Sequence, residues 1–212
     1  MKPAVEIQVV DEPPPWPVAE LEPFGFLALR GGLSDGEIGA VVLGLARGND
    51  HQDDPDLPPR PAGRLPALLH GLLSYEYPSA AGGLLVTDTR TGTDFTPGCC
   101  CGLEDWRDWY DMLDGDGDGG ARLWWGHGGQ PSGDPYAERD GALVRLRAAA
   151  GAASAAGAAS AAVPVAEVRA MLAGVEGALR DFRADAVAWA VRTVPAHADA
   201  LGPALARAFA IQ

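Results

Sequence analysis

Val5, Ile7 and Val9 alternate with Glu6 and Gln8 near the start of the chain, the two-residue period of a half-buried strand. The proline cluster of DEPPPWPVAE ends that pattern, and PFGFLAL predicts a second strand. In LSDGEIGAVVLGLARG the apolar positions move to helical spacing. Ser34 with Glu37 three residues later makes a capping box and Gly48 a stop, which predicts a helix over 35–46. Residues 49–63 open with seven polar or acidic side chains in eight positions and hold four prolines between 55 and 61, so they predict an exposed loop. Beyond them LPALLHGLLSYEY reads as a helix, GGLLVTDTRTGTDF as a strand and turn, and ARLWWGH as a strand. GALVRLR is a further strand that puts Ala142, Val144 and Leu146 opposite Arg145 and Arg147.

RAAAGAASAAGAASAAV is low in complexity, and its small side chains bury too little area to offset the ordering of a core segment, so residues 148–163 are expected to be a linker. After it, Val165, Val168, Leu172, Val175, Leu179, Phe182, Ala186 and Trp189 recur at three- and four-residue intervals, one apolar seam along a long helix. Pro195 interrupts, and HADALGPALARAFAI resumes the spacing. The expected class is α+β: a small mixed or antiparallel sheet flanked by short helices in residues 1–147, the linker, and a C-terminal helical hairpin over 164–212. The hairpin needs a surface, supplied either by its own domain in a monomer or by a second copy in a homodimer built on this helix.

The formal net charge is −13, and residues 163–212 hold five acidic and five arginine side chains, so the whole imbalance sits in residues 1–162. Such a body repels phosphate backbones and anionic lipid, which argues against nucleic-acid or membrane binding and suits a basic protein partner. No apolar run reaches the roughly 18 residues of a membrane span, and no signal-length run follows the amino terminus. A soluble, cytoplasmic protein is expected. Lysine occurs only at Lys2 while arginine, alanine and glycine abound, a bias of a GC-rich genome.

The chain's three cysteines are consecutive, in FTPGCCCGLEDWRDW. Leu103, Trp106, Trp109 or Tyr110, and Leu113 predict an amphipathic helix with inward aromatics, at whose amino terminus Cys99, Cys100 and Cys101 would lie. Unpaired amides and the helix dipole favour a thiolate there, while Glu104, Asp105 and Asp108 oppose it. Three readings stay open: a nucleophile with His70 or His127 as base, metal ligation through Cys99 and Cys101, or a buried plug, since cysteine behaves as a small hydrophobe. Asp114, Asp116, Asp118 and Gly119 match the first half of a calcium loop, but its twelfth position falls on Trp125 where a glutamate is needed, so an acidic turn is the simpler reading. His127 lies among loop glycines, His51 in the acidic loop with Asp53, Asp54 and Asp56, and His197 at the head of the last helix. Trp106, Trp109, Trp124 and Trp125 are candidates for a partner-binding surface. No phosphate-cradling loop, nucleophile elbow or H-E-x-x-H motif occurs.

The run FTPGCCCGLEDWRDW, the Trp-Gly-His turn at 125–127, and HADAL with its terminal ALARAFAI resemble a family of actinobacterial proteins to which no reaction is assigned. The resemblance implies a mixed amino-terminal domain, a helical tail and a bacterial cytosolic setting. In that family the turn reads Gly-His-Asp-Pro, whereas here Gly126 and His127 are followed by Gly128 and Gly129. The expected function is a non-enzymatic, intracellular protein-binding domain without a cofactor, such as an immunity factor against a toxin domain. The alternative is a Cys/His-based enzyme or metal-dependent protein.

Overall fold

The structure is a computed structural model that describes residues 1–9, 12–51, 54–55, 57–97, 102–115, 122–124, 136–147 and 160–212. Two antiparallel four-stranded sheets are present among them, where the sequence pattern suggests one. In the first, β1 (Lys2–Glu6) lies between β2 (Phe26–Ala28) and β3 (Gly82–Asp88), and β4 (Thr93–Phe95) pairs with β3. In the second, β5 (Arg122–Trp124), β6 (Tyr136–Asp140), β7 (Leu143–Arg147) and β8 (Ser160–Pro164) follow in spatial order. Asp140 pairs with Leu143 across a two-residue turn whose first position, Gly141, has φ +58°, a conformation that costs glycine nothing.

Two sequence expectations shift at the strands. β1 ends at Glu6, and Ile7 continues only as far as a bond from its N–H to the Gly25 carbonyl and one from the Phe24 N–H to its own carbonyl, which leaves Val9 42% exposed. Residues 160–163, assigned by composition to the linker, belong to β8. Val163 pairs with Val144 and Ala161 with Leu146, so backbone pairing with β7 orders side chains that could not order themselves.

The helices are α1 (Asp35–Gly48), α2 (Arg64–Ser74), α3 (Asp108–Asp114), which follows a 3-10 turn at Leu103–Arg107, α4 (Val165–Thr193) and α5 (Ala198–Ala208). The capping box is formed: Ser34 Oγ accepts the Glu37 N–H at 3.3 Å, and Glu37 Oε2 accepts the Ser34 N–H at 2.8 Å. At the other end of α1 the buried Asn49 donates to the Leu45 and Ser79 carbonyls and accepts the Ser79 N–H, tying the helix to the segment before β3.

α4 is the spine. β1 of one sheet and β7 and β8 of the other pack on it, and α5 folds back along it as the expected hairpin. Of the eight seam residues all but Val165 are buried, with Phe182 edge-on to Phe209 at 5.8 Å and Trp189 edge-on to Trp16 at 5.3 Å. The seam is therefore consumed inside the chain, and a homodimer built on it has no free apolar face to use. Among the described residues no helix is both long and apolar enough to cross a membrane.

Candidate interaction site

Residues 12–23, rich in proline, cross α1 as a strap. Trp16 is the pin: it is buried, and its indole N–H donates to the Gly39 carbonyl at 2.9 Å. The Ala19 N–H bonds the Gly36 carbonyl at 2.8 Å, and the Arg47 guanidinium bonds the Val9 and Glu12 carbonyls at 3.3 and 3.5 Å. Such an approach is open only to a helix without side chains beneath the strap. A Cβ on Gly39 would lie 2.6 Å from the Pro17 carbonyl oxygen and 2.9 Å from the Trp16 ring, and one on Gly36 would lie 3.0 Å from the Ala19 nitrogen.

Past Gly39 a slot of about 300 Å³ opens beside the helix. Its floor is Ala40, Leu43, Gly44 and Arg47 of α1; one wall is Val18, Leu21 and Pro23, and the other is Ile7 and Gln8. A second hollow of about 180 Å³ shares Ile7, Gln8, Ala40 and Gly44 with it, and a third of about 540 Å³ shares Leu43 and Arg47. All three lie against residues 40–48, side by side around the C-terminal half of α1, and Arg60 and Arg64 also line the third. Glu20 lies in the wall of the first and Glu6 in that of the second, Glu12 lines the third, and Glu22 sits between Leu21 and Pro23. Beside these hollows Phe24 is 69% exposed with φ +60°, a backbone conformation that an aromatic residue rarely adopts. No sequence pattern marks this site; its elements are a strap, three glycine positions and a strand end that meet only in the fold.

The tryptophan candidates behave otherwise. Trp106 and Trp109 are 2% and 3% exposed, so the partner-surface reading is corrected for both. The Trp106 indole N–H donates to the Phe209 carbonyl at 2.8 Å, and the Arg107 guanidinium donates to the Ala210 carbonyl at 2.7 Å and pairs with Glu176. The residues that follow α5 are thereby stapled to the start of α3, and the inward-facing stripe read from the sequence is a core stripe. The Trp124 side chain and Trp125 lie outside the described residues, as do Cys99, Cys100, Cys101, His127, Asp116 and Asp118. Asp114 is described and forms an ion pair with Arg169.

His70 lines a different hollow, of about 480 Å³, with His51, Asp54 and Arg60. Its Nε2 lies 2.9 Å from the Pro58 carbonyl oxygen, which can only accept, so Nε2 carries the proton and Nδ1 is left to accept from the Ser74 hydroxyl at 3.3 Å. Both ring nitrogens are thus engaged by α2 and its own loop. His51 stacks edge-on to Tyr75 at 5.8 Å, and the Tyr75 hydroxyl donates to Asp54 at 2.5 Å. Among the described residues no three histidine, cysteine or acidic side chains converge as a metal site would require. His197 is half-buried in the turn before α5.

Beside the cysteine run, burial pushes the Glu104 carboxyl above the ordinary carboxylate range, although the Ala80 N–H donates to it at 2.8 Å. Asp108 is raised as well, by burial first and then by Asp105 and Asp111. No protein-family model matches the chain, and no curated protein or solved structure is significantly similar to it.

Proposed function

We propose that the chain is a protein-binding domain whose partner is basic. The observation that carries this reading is the pair of largely apolar hollows that share Gly44, lined by Glu20 and Glu6 against one cation, Arg47. Residues 1–25 hold five acidic side chains against one lysine, in a body whose net charge of −13 comes entirely from residues 1–162. A field of that sign speeds encounter with a cationic surface and repels nucleic acid. Desolvated apolar contacts then set the lifetime of the complex. A toxin domain covered by its immunity factor is one partner of that chemistry. Cys/His chemistry is less well supported, because His70 has both nitrogens occupied within its own helix and loop.

The test compares the wild-type chain with a variant carrying Glu6→Lys, Glu20→Lys and Glu22→Lys, each immobilised and exposed to lysate of the native host at low salt. Wild type should retain a protein of positive net charge that elutes as salt rises, and the reversed variant should not retain it. Retention of acidic proteins, or equal retention by both chains, would overturn the proposal.

A further inference from the structure

The position of the slot specifies what the partner inserts. The hollows lie side by side against residues 40–48 of α1, a stretch of roughly 12 Å, and the two that share Gly44 join into one depression. About four residues of extended polypeptide span that length. The central hollow, at about 300 Å³, is walled mainly by aliphatic carbon and has Gly44 in its floor, where an added Cβ would meet nothing within 4 Å. The space above Gly44 is therefore open and not taken up by a neighbour. Glu20 lines it and Glu6 lines the adjoining hollow, while the one cation in its floor, Arg47, is held by the Val9 and Glu12 carbonyls; the arginines of the third hollow, Arg60 and Arg64, are paired with Asp50 and Glu12.

From this we infer that the groove seats a short basic segment of the partner, with an aliphatic or aromatic side chain over Gly44 and lysine or arginine on either side of it. The anchor displaces water from an apolar hollow, and the flanking cations meet Glu6 and Glu20. Both interactions are required, because an apolar anchor alone gives no charge selectivity and surface ion pairs alone hold weakly. This inference rests on the reading of the chain as a binder of basic protein, and it adds the place and the form of the contact.

Gly44→Leu is the decisive variant, since it fills the slot from the floor and removes a helix-interior glycine at a position where an added Cβ meets nothing within 4 Å. A library of random twelve-residue peptides would be panned on the full wild-type chain, and the enriched peptides titrated against wild type, Gly44→Leu, and the double variant Glu6→Lys with Glu20→Lys. Circular dichroism melting checks that each variant is folded. The expected result is enrichment of peptides with an apolar residue between basic ones, bound at least about tenfold more weakly by Gly44→Leu and by the charge variant, and more weakly as salt rises. Gly44→Ala, with its smaller side chain, should fall between wild type and Gly44→Leu. Basic peptides that bind Gly44→Leu as well as wild type but lose the charge variant would overturn the slot and leave the basic-partner reading standing. Uncharged or acidic peptides that fill the slot would overturn that reading itself. No enrichment over the Gly44→Leu chain would overturn the groove as a peptide site.

Discussion

The two halves of α1 carry the same kind of residue to opposite effect. In the first half Gly36 and Gly39 lie beneath the strap, so close that a single methyl group on Gly39 would overlap the Pro17 carbonyl and the Trp16 ring. In the second half Gly44 faces empty space. Glycine in a helix interior costs about 1 kcal/mol relative to alanine, so each of these positions is a local loss. The closed half recovers it through burial of Trp16 and a satisfied indole N–H. At Gly44 no contact within the chain offsets the loss, and the offset proposed here is a ligand. The difference teaches that a glycine's purpose is decided by what approaches it, which a sequence does not state.

The largest effect should come from removing the pin of the closed half. Trp16→Ala deletes a buried indole packed on Trp189 and leaves the Gly39 carbonyl without its partner, and should destabilise the chain by about 3–5 kcal/mol in chemical denaturation. Gly39→Ala attacks the same contact from the helix side. Overpacking of about 1–3 kcal/mol is expected, enough to outweigh its gain in helix propensity, with a lowered melting temperature as the readout. Gly44→Ala is the counterpart and should have the opposite sign, raising stability by about 1 kcal/mol or a little less. If Gly39→Ala and Gly44→Ala shift melting in the same direction, the contrast between closed and open halves is wrong.

A smaller effect concerns two glutamates whose environments differ as the halves do. Glu37, bonded by Ser34 at the exposed start of α1, has its carboxyl lowered, so the stability it contributes is present above its unfolded value near 4.5 and is lost as pH falls through the lower folded value. Glu104 is raised, chiefly by burial, so the folded state holds its proton more tightly and stability falls as pH rises from about 4.5 through the raised folded value. Stability measured against pH should therefore lose part of its acid-side slope in Glu37→Gln. In Glu104→Gln the fall at higher pH should flatten, with the Ala80 contact kept by the amide oxygen. The same slope in both variants would contradict the assignment.

Local signals were the legible ones. The capping box of α1 depends on residues three apart, and the α4 seam on a period that no distant residue alters, so both could be read directly from the chain. The burial of Trp106 and Trp109 was visible in their spacing. Their assignment to a partner surface failed because the faces that cover them, including the Phe209 carbonyl, arrive from 103 residues away. β8 was hidden for a related reason: serine and alanine carry no pattern, and its order comes from β7. Trp16 stands in the proline cluster that ends the first strand pattern, and only Gly39, 23 residues on, makes it a core residue. The groove was illegible because it is the space left between elements that the sequence does not place together.

The spine bears on how the chain comes into being. β1 packs on α4, and the amino group of Met1 lies 3.8 Å from the sulfur of Met171. A ribosome adding about 5–20 residues per second therefore needs roughly 10–40 s to deliver the surface that the first strand requires. For that interval Trp16 and the apolar side of β1 are without Trp189 and α4, and the acidic groups crowded into the early residues keep the nascent segment soluble until its cover emerges.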